Sequence, residues 1–204
     1  MSFYSEQFLP RAIHCVMRGK GFRKLRQRFL QPLAGEVLEL GFGSGLNLPH
    51  YPDAVTAIYA VDPSLVGRKL ATSRVADCPI PVEYAGLEGE TLQLDDNSVD
   101  AVLSTWTLCT IPDLPRALAE VRRVLRPGGQ LHFLEHGLSA DPKVARWQNR
   151  LNPMQKRLAG GCHLNRPIAD MVAASGLTLG QVDNFFIKGP RFASCMFAGA
   201  ATNE

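Results

Sequence analysis

Short apolar runs rich in β-branched residues punctuate the chain, and between them apolar residues return every three or four positions. Val37–Leu40, Tyr59–Val61, Val82–Ala85, Ser98–Ser104 and Gln130–Glu135 are the runs, and they read as strands buried on both faces. The intervening stretches Leu65–Ala76 and Asp113–Leu125 read as helices. In the second, Leu114, Leu118, Val121 and Leu125 share one face and are assigned to packing alone. Leu46–His50 begins another helix, which Pro49 and Pro52 keep short. Ile168–Ala174 is a late helix, and Leu177–Phe186 and Ser194–Ala200 are two late strands. Buried strands alternating with amphipathic helices predict an α/β domain with a mostly parallel sheet and helices on both faces.

Two segments fall outside this rhythm. In residues 1–35, Arg11, Arg18, Lys20, Arg23, Lys24, Arg26 and Arg28 are interleaved with Phe22, Leu25, Phe29 and Leu30 at helical spacing. The prediction is one amphipathic basic helix whose charged face is solvated beside a ligand cleft. Peripheral contact with an anionic membrane is the sharper alternative. Residues 137–170 are too long for a simple crossover, helical from Pro142 to Leu158 and broken at Gly160-Gly161, so they read as a lid inserted over the substrate end of the cleft. Both segments are taken as parts of a single domain spanning residues 1–204.

The 204 residues suffice for one domain with a sizeable core, and 46% hydrophobic with 20% charged residues is an ordinary globular composition. A net charge of +3 gives no reason to expect a nucleic-acid partner. The 5 cysteines are scattered without a C-x-x-C pair, which points to reduced thiols and a cytoplasmic setting. No secretory leader and no membrane-spanning run of about 18 apolar residues is expected.

The first strand ends in a glycine-rich turn, Glu39-x-Gly41-x-Gly43-x-Gly45, and Asp62 closes the second. A carboxylate after the second strand is where nucleotide-binding βαβ units hold ribose hydroxyls. The glycine spacing is not the dinucleotide fingerprint, since position 46 is a leucine, and Glu39 is suited to a cationic amino-acid group rather than to phosphates. Leu46 and Glu39 therefore count against an NAD-dependent oxidoreductase. The turn resembles motif I of the class I methyltransferases, and Val121-Arg122-Arg123-Val124-Leu125-Arg126-Pro127-Gly128-Gly129 is similar to the corresponding segment of that family; together the likeness spans about residues 35–136. It implies a Rossmann-like seven-stranded sheet whose last strand is antiparallel, with S-adenosylmethionine as cofactor. The cofactor residues it implies are Glu39, Gly41, Gly43, Gly45, Asn47, Asp62, Pro63, Glu88, Gly89, Thr105 and Trp106. Glu88 and the Gly89 amide would read adenine, and Trp106 would wall the pocket.

Glu135-His136, Trp147, Leu151-Asn152-Pro153 and Gly161-Cys162-His163-Leu164-Asn165-Arg166 resemble a finer branch, the small-thiol S-methyltransferases, as do Tyr51-Pro52 and Thr107-Leu108-Cys109. The chain begins Met1-Ser2-Phe3-Tyr4, without the hydrophobic anchor of that branch's animal members. The likeness implies a small-molecule acceptor, thiol or lipophilic, with Tyr4, Cys109, His163 and Asn165 at the substrate. His136 is the candidate general base, because an imidazole titrates near neutrality. Phospholipid or quinone methylation, or S-adenosylmethionine binding without catalysis, are the alternatives. Cys109 and Cys162 are not expected to bind metal, being far apart in sequence with no repeated ligand spacing.

Overall fold

The structure, a computed structural model, describes residues 3–204. Seven strands form one sheet: β1 Gly35–Leu40, β2 Val55–Val61, β3 Val82–Gly86, β4 Val99–Thr105, β5 Leu125–His136, β6 Thr178–Phe186 and β7 Cys195–Thr202. Their order is β3-β2-β1-β4-β5-β7-β6. β7 runs antiparallel to both β5 and β6, while the pairs β1–β2, β1–β4, β2–β3 and β4–β5 are parallel. The expected architecture is therefore present, with β7 as the reversed strand.

The central strands β1 and β4 are nearly continuous apolar runs because both faces are covered. On one face α4 (Leu114–Val124) buries Leu114, Ala117, Leu118, Val121 and Val124, with α6 (Ile168–Ala173) beside it. Val37, Ile58 and Leu103 pack on the other face with Leu30, Leu33 and Ala71, the last from α3 (Leu65–Ala76). Chain order reverses between β1 and β4, so a crevice opens at their carboxyl ends. At the opposite edge Arg126 pairs with Glu36 and Asp100 at 2.6 Å each, tying β1, β4 and β5 together away from the crevice.

Several boundaries differ from expectation; β1 and β2 start earlier, at Gly35 and Val55, and three other segments change form or start. The basic N-terminal segment is two helices, α1 (Leu9–Met17) and α2 (Lys20–Phe29), after a π-helical turn at Tyr4–Phe8. Gly19 separates them by taking an extended ψ of 151°. After β1 the turn leads to a single 3-10 turn, Leu48–His50, with Pro49 inside it. β5 begins at Leu125 instead of Gln130, because Arg126–Gly129 stays in the sheet through an irregular register with β4. In the segment 137–170, α5 runs over Pro142–Leu158, the helical range expected there, and a short α7 (Arg191–Ser194) precedes β7. Among the described residues no helix is long and apolar enough to cross a membrane.

Candidate active site

The glycine turn is fixed by contacts that exclude side chains. Gly41 has φ +76°, and a Cβ there would lie 1.8 Å from Thr107 Oγ1 in the loop after β4. Gly67, in the first turn of α3, sits so close beneath the glycine turn that a Cβ would meet Gly43 O at 2.9 Å. Asp62, at the end of β2, accepts the Gly43 amide on Oδ2 and the Ser64 amide on Oδ1, both at 2.7 Å. Burial raises its pKa, and the two amides and Arg68 oppose that rise. Each carboxylate oxygen keeps a lone pair for a further donor.

Glu39 lies at the end of β1 and is fully enclosed. Its Oε1 accepts Asn47 Nδ2 at 2.8 Å and its Oε2 accepts the Tyr51 hydroxyl at 2.7 Å. Asn47 Nδ2 also reaches Thr105 Oγ1 at 3.0 Å. Burial pushes the Glu39 carboxyl up to about 7, against the pull of Tyr51, Asn47 and Arg26. A buried acid held near half-ionisation is poised for a cationic ligand, whose charge would complete its ionisation.

Arg26 was expected on a solvated face, and the structure corrects this: it is buried, with Nε donating to Asn47 Oδ1 and one terminal nitrogen to Met17 O, both at 2.8 Å. Burial lowers its pKa to about 10, so it stays cationic at neutrality. The guanidinium stacks 4.9 Å from the Trp106 ring, which Phe22 meets edge-on. His14 of α1 contacts Ser44 Oγ at 2.7 Å. Both N-terminal helices are thus fastened to the turn, while Arg18, Lys20, Arg23, Lys24 and Arg28 remain exposed.

The residues expected to touch cofactor do not all converge equally. Glu39, Gly41, Gly43, Gly45, Asn47, Asp62 and Thr105 form one cradle. Trp106 closes its β4 side in a left-handed conformation, φ 54°, rare for a bulky residue. Its buried Nε1 has no hydrogen-bond partner among the described residues. Gly89 packs toward Leu40 at the end of β1, whereas the Glu88 and Pro63 side chains are exposed.

At the acceptor end, Glu135 is the pivot. Its Oε1 accepts Ser104 Oγ and the amides of Thr107 and Leu108, fixing the loop that carries Cys109. His136 Nε2 lies 2.8 Å from Cys162 Sγ, and Cys162 Sγ donates to Cys109 Sγ at 3.5 Å. The contact with Cys109, together with burial, holds the Cys162 thiol well above its ordinary pKa. Cys109 and Cys162, 53 residues apart in the chain, thus meet at this end of the crevice. His163 contacts Cys109 O, bringing the lid to the sheet edge. Tyr4 and Asn165 spend their polar atoms elsewhere: the Tyr4 hydroxyl donates to Leu158 O, and Asn165 Nδ2 donates to Asn149 Oδ1.

A methyltransferase-domain family model matches residues 38–133. Thiol S-methyltransferase TMT1B of Rattus norvegicus is 37% identical over 137 residues, covering 64% of this chain and 54% of that protein. Thiol S-methyltransferase TMT1A of Homo sapiens is 36% identical over 155 residues, covering 70% of this chain and 63% of its own length. The chain thus spans somewhat more than half of these relatives. Among solved structures, geranyl diphosphate methyltransferase in complex with SAM superposes with a TM-score of 0.69 at 15% identity, over 100% of this chain and 92% of that one.

Proposed function

Given that the chain carries a methyltransferase domain on a class I fold, we propose that it transfers a methyl group from S-adenosylmethionine to a small thiol. One observation carries the cofactor reading: two carboxylates, the fully buried Glu39 and the half-buried Asp62, end adjacent parallel strands beside a glycine turn that excludes side chains. Asp62 offers its free lone pairs to the ribose hydroxyls. Glu39, Asn47 and Tyr51 receive the amino-acid part, whose ammonium completes the ionisation of Glu39. Gly89 backs the adenine side.

The sulfonium already activates the methyl group, so this chain's residues have to align the acceptor in line and keep water out. Arg26, Trp106 and the two N-terminal helices cover the cradle, and the lid closes from the other side through His163. A thiol asks little more, because with an ordinary pKa of about 8.5 a few per cent is thiolate at neutrality. His136 is the group assigned to take the proton, because an imidazole titrates near neutrality. The thiol assignment is supported by the names of the two relatives.

A lipophilic acceptor is the second reading, favoured by apolar side chains exposed on α1 and the lid, Ile13, Val16, Met154 and Leu158, next to the basic helices. Methyl-labelled S-adenosylmethionine offered with an alkyl thiol, a quinol and phosphatidylethanolamine separates the two. Label in a thioether supports the first reading; label confined to the lipid or quinol overturns it.

A further inference from the structure

Cys109 follows β4, His136 ends β5 and Cys162 follows the double-glycine break that ends the lid helix. Folding brings their two Sγ atoms and the imidazole nitrogen within 4.8 Å of one another. Around a tetrahedral ion with metal–sulfur bonds of about 2.3 Å and metal–nitrogen bonds of about 2.0–2.1 Å, neighbouring donors stand about 3.5–3.8 Å apart. The sulfur pair at 3.5 Å already has that spacing. The imidazole, now 2.8 Å from Cys162 Sγ, has only to withdraw by less than about 1 Å.

We propose that Cys109, Cys162 and His136 form a binding site for a thiophilic divalent cation, with zinc the ion that two thiolates and an imidazole select. Oxygen-seeking ions such as magnesium and calcium are excluded by this donor set. Coordination replaces two S–H protons, which leave to solvent, and forms two metal–thiolate bonds. The resulting unit of one dication and two thiolates has no net charge, which suits a place where both cysteines are buried. The ligands are held in advance: Glu135 fixes the amides before Cys109, Arg166 bonds Leu108 O, and the His163 amide donates to Cys109 O at 2.9 Å. Three protein donors leave a fourth position for solvent or an exogenous ligand.

Such an ion would staple the lid to the ligand-bearing edge of the sheet. It would also take Nε2 of His136 with the ring proton on Nδ1, so the loaded molecule could not use this imidazole as a proton acceptor. Metal binding itself does not depend on which acceptor is methylated.

The test is titration of reduced, metal-free protein with cobalt(II). The expected result is one equivalent bound, with a thiolate-to-cobalt charge-transfer band in the near ultraviolet that zinc bleaches. Cys109→Ser and Cys162→Ser should each lose at least half of the band, and Cys195→Ser should keep it. In the unaltered protein, zinc should slow alkylation of Cys109 and Cys162 while Cys15 stays reactive, a readout that needs no variant to fold. No band with both thiols shown to be free, a band that survives both single substitutions, or unprotected thiols would overturn the site. So would a Cys109–Cys162 disulfide on exposure to air in a protein whose reduced form takes up no metal.

Discussion

The ionisation of Glu39 makes cofactor affinity depend on pH in a calculable way. Its carboxyl stands at about 7 in the unliganded protein, against an ordinary value of about 4.3. A raised pKa means that stability is full below the ordinary value and is lost as pH climbs through about 7. The loss for the unliganded fold is on the order of 4 kcal/mol, from about 1.4 kcal/mol per unit. A bound ammonium reverses this, because it favours the ionised form. Binding below pH 7 must then release a proton from Glu39. The ionised fraction is about 3% at pH 5.5 and one half at pH 7, so S-adenosylmethionine should bind roughly fifteenfold more tightly at the higher pH. Calorimetry at pH 7 in two buffers of different protonation enthalpy should report about half a proton released. Glu39→Gln should bind weakly with a flat profile over the same range, which controls for titration of the ligand. Unaltered affinity between pH 5.5 and 7, or the same slope in the glutamine variant, would refute the assignment of Glu39 to the cofactor's cation.

Three other substitutions probe the cradle. Arg26→Leu leaves the Asn47 and Met17 acceptors buried without their donor, so the midpoint in urea should fall by an amount equivalent to about 2–4 kcal/mol. The midpoint of the pH profile should also move above 7, since Arg26 lowers the Glu39 pKa; an unchanged urea midpoint would contradict this. Gly41→Ala forces a Cβ onto Thr107 at a left-handed φ, and should cost about 2–4 kcal/mol of stability and eliminate measurable cofactor binding by fluorescence titration. Asp62→Asn turns a donor onto one of the two amides that Asp62 accepts, so stability should fall by about 1–3 kcal/mol while the chain still folds, and cofactor binding should weaken roughly a hundredfold, the equivalent of about 3 kcal/mol for losing the charged acceptor; retained affinity would remove Asp62 from the ribose site.

The cradle was legible in the sequence because its demands are local. A backbone with positive φ selects glycine, as at Gly41, and a carboxylate ending the second buried strand stands where nucleotide ligands meet such sheets. The packing face of α4 was legible for the same reason, one period repeated within one helix. Arg26 was not legible, since helical periodicity alone does not say which member of a basic helix turns inward; its pairing with Asn47 exists only once α2 crosses the turn. Nothing local in the sequence marks Gly67, whose close approach to Gly43 exists only once α3 packs against the turn. The Cys109, His136 and Cys162 cluster was least visible, because β4, β5 and the lid assemble it and sequence separation holds no record of that meeting. The contact of Asn165 was equally invisible: its Nδ2 donates to Asn149 Oδ1, a pairing that exists only once residues 137–170 fold back on α5.

The most direct test of the account is the stoichiometry of turnover with an alkyl thiol as acceptor, following S-adenosylhomocysteine and methyl thioether together by mass spectrometry. The account predicts that the two appear in equal amounts and that both vanish in Asp62→Asn at low cofactor. S-adenosylmethionine that binds but yields neither product with any thiol, quinol or lipid offered would contradict it.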